Sequence, residues 1–85
     1  MKILVRPKFE KQLNKLPNNI QDLICEKEVL FCKDPFNPKL KTHKLKGKMD
    51  GFWSFSINYD YRIIFEFFEN DKALFYLIGN HKIYK

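Results

Sequence analysis

The sequence predicts an α+β domain, β-α-α-β-β-β-β in order: an N-terminal strand, a helical hairpin, then a mainly antiparallel sheet of four or five strands. Two patterns carry that prediction. Trp53, Phe55, Ile57 and Tyr59 alternate with Ser54, Ser56 and Asn58; then Tyr61, Ile63, Phe65 and Phe67 alternate with Arg62, Ile64, Glu66 and Phe68. Alternation at period two, rich in aromatics and isoleucine, marks half-buried strands, and short polar breaks between them make neighbours antiparallel. Earlier in the chain, apolar residues recur at helical spacing from Phe9 to Phe31, as helices lying on one face of that sheet require.

Each element follows from local signals. Met1 to Val5 is a short apolar run and reads as a strand. Pro7 suits the first turn of a helix, because its missing N–H has no intrahelical partner there. Phe9, Leu13 and Leu16 then share one helix face, with Glu10, Lys11, Asn14 and Lys15 outside. Pro17 ends that helix, and Asn18 or Asn19 can cap the next. The second helix is expected from about Ile20 to Lys33, with Ile20, Leu23, Ile24, Leu30 and Phe31 on one stripe, widened by Cys25, Val29 and Cys32. Asp34-Pro35 and Pro38 stop it. Residues 36–42 form an extended basic linker, and His43 to Lys46 a brief edge strand, where lysine discourages pairing with other chains. Gly47 and Gly51 bracket a turn into the three-strand meander.

The chain has 85 residues. One domain of that size buries only about 60–65% of its unfolded surface, so the nine Phe, four Tyr and single Trp must share one core. Cys25 and Cys32, about two helical turns apart, are too far for a bridge and read as small buried thiols. The two histidines and two cysteines do not fall at zinc spacings, and no metal or other cofactor is expected. The N-terminus lacks the pattern of a secretory signal. The longest apolar run, Ala73 to Ile78, is too short to cross a bilayer. A cytoplasmic protein is expected.

Sixteen Lys and Arg against ten Asp and Glu give a formal charge of +6, which favours a polyanion or an acidic protein as partner. The excess is not evenly spread. Lys39, Lys41, Lys44, Lys46 and Lys48 fall in ten residues without an acid.

Four residues could carry chemistry. His81 directly follows the last strand, after Gly79-Asn80, and an imidazole exchanges protons near neutrality. Arg62 is one of two arginines, on the polar side of an apolar strand. Its guanidinium can fork onto a phosphate or pair with Glu66 or Asp60. His43 lies in the basic edge segment and serves either as a second proton-transfer group or, sharing a side with Leu45, as a partly buried histidine. Asp60 is foremost a turn residue, with a supporting role toward a histidine or a ribose hydroxyl as the other reading. Around these, Lys41, Lys44, Lys46, Lys48, Ser56 and Lys82 could hold a nucleic-acid backbone, and Tyr84 could stack on a base. Two imidazoles, a guanidinium and lysines without a metal-ligand set suit metal-free RNA cleavage through the 2′-hydroxyl.

The segment HKLKGKMDGFWSFSINYDYRIIFEF, followed by a strand and IGNHKIYK, together with the early FEKQLNKLP, resembles the RelE/ParE superfamily of type II toxins, with its YafQ-like and YoeB-like branches nearest. The likeness spans the whole chain. It implies a toxin that cuts mRNA in the ribosomal A site and is neutralised by a cognate acidic antitoxin. Operator DNA would be met only through the antitoxin complex, and no membrane is involved. By position it implies that His81 and His43 match histidines of the YafQ-like branch, Asp60 the aspartate before the central strand, and Arg62 the arginine of YoeB-like members. Ser56 stands where the YafQ-like pattern carries another histidine. A ParE-like gyrase inhibitor without catalysis, and a relative that only binds antitoxin and operator, are the alternative functions. The antitoxin is expected on the basic side, over His81, helped by Ile64 and Phe68 on the open sheet face and by an edge strand, the first or the last, that could accept another chain.

Overall fold

The computed structural model describes residues 1–80. Strand β1 (Lys2–Val5) leads to helices α1 (Pro7–Asn14) and α2 (Asn18–Lys33). A 3-10 turn at Pro38–Leu40 precedes β2 (His43–Lys44), and another at Gly47–Met49 precedes β3 (Trp53–Ser56), β4 (Arg62–Phe68) and β5 (Lys72–Gly79). The element order is the expected one.

The five strands make one mixed sheet in the order β1-β5-β4-β3-β2. The meander pairs antiparallel, and β1 joins parallel to β5, with Ile3 opposite Ala73 and Val5 opposite Phe75. Parallel neighbours need a long crossover, and everything between β1 and β5 supplies it. The last strand is therefore central. The expectation that it could accept another chain is corrected, since both its edges are already paired; β1 and β2 are the edges.

Pro7 occupies the start of α1 as expected. Helix α2 begins earlier than predicted, at Asn18, with Pro17 as its cap and no side-chain cap bond. The Pro17 carbonyl accepts from Ile20 and Gln21 N–H, at 3.0 Å each, and Gln21 Nε2 donates to Leu16 O at 2.9 Å. These bonds fix the first turn on the Leu16-Pro17 carbonyls without an asparagine cap.

Phe31 is the centre of the core. It is fully buried, stacks on Phe55 at 4.9 Å between centroids, and meets Phe65 and Phe75 edge-on at 5.0 and 5.5 Å. Phe9 brings α1 onto Phe75. Ile24, Leu40, Ile57, Ile63, Ala73 and Ile78 complete the cluster. A bulge between Ile64 and Phe65 pairs them with Leu77 and Phe75, leaving Tyr76 as the extra residue. That shift lets Ala73, Phe75 and Ile78 all reach the helix side although they do not alternate.

Several side chains depart from expectation. Cys25 and Cys32 are exposed, and Val29 is 58% exposed, because the packed stripe of α2 is narrower than its apolar face. Tyr59, expected with the apolar parity of β3, is 83% exposed, since the strand ends at Ser56. Ile64, expected on an open face, is fully buried beside Ser54. That side of the sheet also carries an edge-to-face pair of Phe52 and Tyr76, 4.6 Å apart. Tyr76 donates to Glu66 Oε1 at 2.9 Å, and the Arg6 guanidinium lies over its ring at 4.7 Å. The hydrogen bond to Glu66, with burial, raises the Tyr76 phenol above its ordinary 10.0. Phe68 remains exposed, as expected.

Candidate active site

The strand ladder aligns the first residues of interest. Ser56 on β3 is opposite Arg62 on β4, and Arg62 is opposite Gly79 on β5. His43 on β2 is opposite Ser54. Directly opposed residues share a face, and so do residues two apart on a strand. His43, Ser56 and Arg62 therefore lie on one side of the sheet. Two residues of strand separate the Ser54 and Ser56 rows, about 7 Å.

The loop from 57 to 61 is held by its own hydrogen bonds. Asn58 Oδ1 accepts from the N–H groups of Asp60 and Tyr61 at 2.9 and 2.8 Å, and Ile57 N–H donates to Tyr61 O. This is the side-chain turn chemistry that suits asparagine. Asp60 is exposed at the loop. Ser56 Oγ donates to Asn58 O at 3.4 Å, tying the loop to the end of β3.

Against that sheet end lies a cleft of about 370 Å³, lined by Lys27, Lys39, Lys41, Ser56, Ile57, Asn58, Tyr59 and Arg62. Four of these are cations and none is an acid. Lys27 comes from α2, Lys39 and Lys41 from the 3-10 turn and its end, and Arg62 from β4. Asn37 Oδ1 caps that turn by accepting from Lys39 N–H at 2.9 Å, and buried Leu40 anchors it in the core. Lys41 then adopts φ +53, a left-handed conformation that costs a non-glycine residue about 1–2 kcal/mol. Among the described residues the ion pair is Lys72–Glu69, remote from the cleft lysines.

His43 is exposed, and its Nδ1 is 2.9 Å from the carbonyl oxygen of Lys41. A carbonyl only accepts, so Nδ1 carries the hydrogen and Nε2 is the lone-pair nitrogen of the neutral ring. The alternative of a partly buried His43 is thereby corrected; only Leu45 of that segment is buried. Lys44 turns to the other face, with Nζ 5.8 Å from the Trp53 ring centre. Lys46 and Lys48 are exposed in the β2–β3 connection, beyond the opposite end of β3 from Ser56. Of the sequence-predicted set, the cleft thus joins Lys41, Ser56 and Arg62, with His43 bonded to Lys41. His81, Lys82 and Tyr84 lie outside the described residues.

Sequence reasoning passed over Lys27, Lys39 and Tyr59 as site residues. Lys27 had a readable signal: it sits three residues after Ile24 and four before Phe31, beside the buried stripe, where a long stem can lie along the core and extend its charge.

A family model described as RelE-like toxin of type II toxin-antitoxin system HigB matches residues 4–81. The chain belongs to this HigB-like toxin family. Solved structures share the fold of this HigB-like chain. The YoeB/ParE toxin from Agrobacterium tumefaciens is 19% identical, with 95% of this chain and 99% of that one covered at a TM-score of 0.78. YafQ from E. coli strain BL21(DE3) is 15% identical, with 96% and 94% covered at 0.78. The RelBE2 toxin-antitoxin complex from Mycobacterium tuberculosis matches at 15% identity, 94% and 96% covered, and 0.79. No curated protein sequence matches the HigB-like chain. The superfamily is the one the sequence motifs resemble, and the family model adds the HigB name to it. Among the described residues, no helix is long and apolar enough to cross a membrane.

Proposed function

We propose that this toxin is a metal-independent endoribonuclease that cuts mRNA in the ribosomal A site and is held inactive by a cognate acidic antitoxin. The observation that carries the reading is the cleft in which Arg62, on a central strand, is gathered with Lys27, Lys39 and Lys41, with no acid among the described lining residues. Among the described residues its lining holds four cations and no carboxylate, which favours a phosphate, and preorganised cations stabilise the charge that builds on it during transfer.

In this scheme the 2′-oxygen attacks its own phosphorus. The new O2′–P bond forms as the P–O5′ bond breaks, leaving a 2′,3′-cyclic phosphate and a 5′-hydroxyl. One imidazole removes the 2′-hydroxyl proton and another protonates the departing 5′-oxygen. His43 Nε2, with Nδ1 anchored on Lys41 O, suits the acceptor role. His81, two residues beyond the Gly79 that pairs with Arg62, is assigned the donor role. Arg62 and the lysines hold the phosphate, and Tyr59 offers an exposed ring for a base. Asp60 supports the loop, and Ser56 lines the wall. A toxin-antitoxin complex among the structural neighbours supports an antitoxin partner, which would bring the pair to operator DNA.

The test is induction of His81→Ala, His43→Ala and Arg62→Ala beside the parent, with transcript ends mapped on ribosomes. Each variant is expected to lose roughly 10²-fold or more in cleavage. Parent-like cutting and arrest by both His81→Ala and Arg62→Ala refutes the assignment. Intact transcripts with a DNA-damage response point instead to gyrase inhibition.

A further inference from the structure

A second depression adjoins the cleft. It runs along α2 toward the first 3-10 turn, has a volume of about 300 Å³, and is lined by Glu26, Lys27, Val29, Leu30, Lys33 and Lys39. Lys27 and Lys39 line both hollows, so the two are neighbours that share a wall. Lys27 and Lys33 lie six residues apart on α2, about 9 Å along the axis. Lys39 faces them from the turn.

Among the described residues, three lysines from two elements bound this groove, against the carboxylate of Glu26. Among the described residues none of the three takes part in an ion pair. Like charges gathered on a concave surface repel one another unless an anion enters. Val29 and Leu30 give the floor an apolar component, suited to sugar and base surface.

We infer that this groove is a second phosphate-binding subsite, which receives the RNA strand where it leaves the cleft. The inference rests on the ribonuclease reading and deepens it. Arg62, Lys41 and Ser56 grip the phosphate that reacts. Lys27 and Lys39 stand at the junction, and Lys33 holds a neighbouring phosphate outside the cleft. Interactions of this kind are electrostatic and independent of sequence. They add affinity for longer strands and leave the reacting group alone.

Lys33 is the residue to change, since it lines the groove and not the cleft. Binding is measured with 2′-O-methylated oligoribonucleotides, which cannot be cut, as a trinucleotide and a nonanucleotide. The intact parent chain is expected to bind the nonanucleotide more tightly and with a steeper salt dependence. Lys33→Ala lowers nonanucleotide affinity roughly five-fold, about the effect of one exposed charge pair. It also flattens the salt slope by about 0.7, the share of one neutralised phosphate on a single strand. Lys33→Glu lowers affinity further, and neither change alters trinucleotide binding. Circular dichroism verifies that both variants are folded, and Lys33→Gln serves where either is not. Equal binding of both lengths by the parent, or unchanged nonanucleotide binding by the Lys33 variants, overturns the subsite while the cleft reading stands. Failure of both oligonucleotides to bind the parent overturns the subsite, while transcript cleavage on ribosomes decides the cleft reading separately. Variants that keep RNA affinity but no longer bind the cognate antitoxin mark the groove as a protein surface and also overturn the subsite.

Discussion

Ser56 and Arg62 face each other directly across the β3–β4 ladder, and both line the basic cleft. Because each belongs to a strand paired on both sides, their spacing is set by the sheet.

That rigidity makes the chemistry of Arg62 testable apart from its charge. Arg62→Lys keeps the charge but loses the planar fork. It is expected to recover less than a tenth of parent transcript cleavage, while Arg62→Ala falls by about 10²-fold or more. Equal activity of Arg62→Lys and the parent would show that only charge matters there.

Lys41 combines a left-handed backbone with a cleft-lining cation. Lys41→Gly removes the Cβ clash, worth about 1 kcal/mol, at some cost in unfolded-chain entropy. Thermal melts should show stability equal to or slightly above the parent, while RNA cleavage drops. A matched loss of both would mean that Lys41 acts only on the fold.

Tyr59 is the most exposed aromatic at the cleft wall. Tyr59→Ala should weaken binding of single-stranded RNA by about 1–3 kcal/mol, the range for base–aromatic stacking, and Tyr59→Phe should preserve it. Fluorescence titration separates the two. Thermal melts verify that both variants are folded.

Phe31 sets the limit on mutation of the core. Phe31→Ala removes the ring that touches Phe55, Phe65 and Phe75, at a cost of about 3–5 kcal/mol. Against a typical total of about 5–15 kcal/mol, chemical denaturation should show a large shift in midpoint, and toxicity should fall with the folded fraction.

Glu28 gives a pH signature. Burial raises its carboxyl above the ordinary 4.5. Between the unfolded value and the raised one, the folded chain binds more protons than the unfolded chain, so stability declines as pH rises through that window. The penalty is complete above it. Glu28→Gln should therefore be more stable than the parent at neutral pH, with the difference vanishing below about pH 4.5. Denaturation curves at several pH values measure this.

Much of this arrangement was legible in the residues. Period-two alternation located β3 and β4, and the spacing of Phe9, Ile24 and Phe31 located the helices and their buried side. The pairing of β1 with β5 was not legible, because a parallel partner across the whole chain leaves no turn signal. The bulge at Tyr76 hid the parity of β5. The exposure of Cys25 and Cys32 followed from a packing width that composition does not encode. At the site, Arg62, Ser56 and Lys41 were readable as a polar strand face and a basic run. Lys39 stood in that same run and Lys27 beside the buried stripe of α2, but their meeting at one cleft depends on how α2 and the 3-10 turn pack, which no local pattern records.

The position of β5 also has a temporal meaning. Synthesis runs from the N-terminus, so residues 72–79 emerge after every other described strand, and β1 and β4 have no common neighbour until they do. Phe31 lacks Phe75 over the same interval, and Arg62 lacks one of its flanking strands. A nascent polypeptide therefore cannot close its sheet, or complete the strand pairing around Arg62, before β5 has been made.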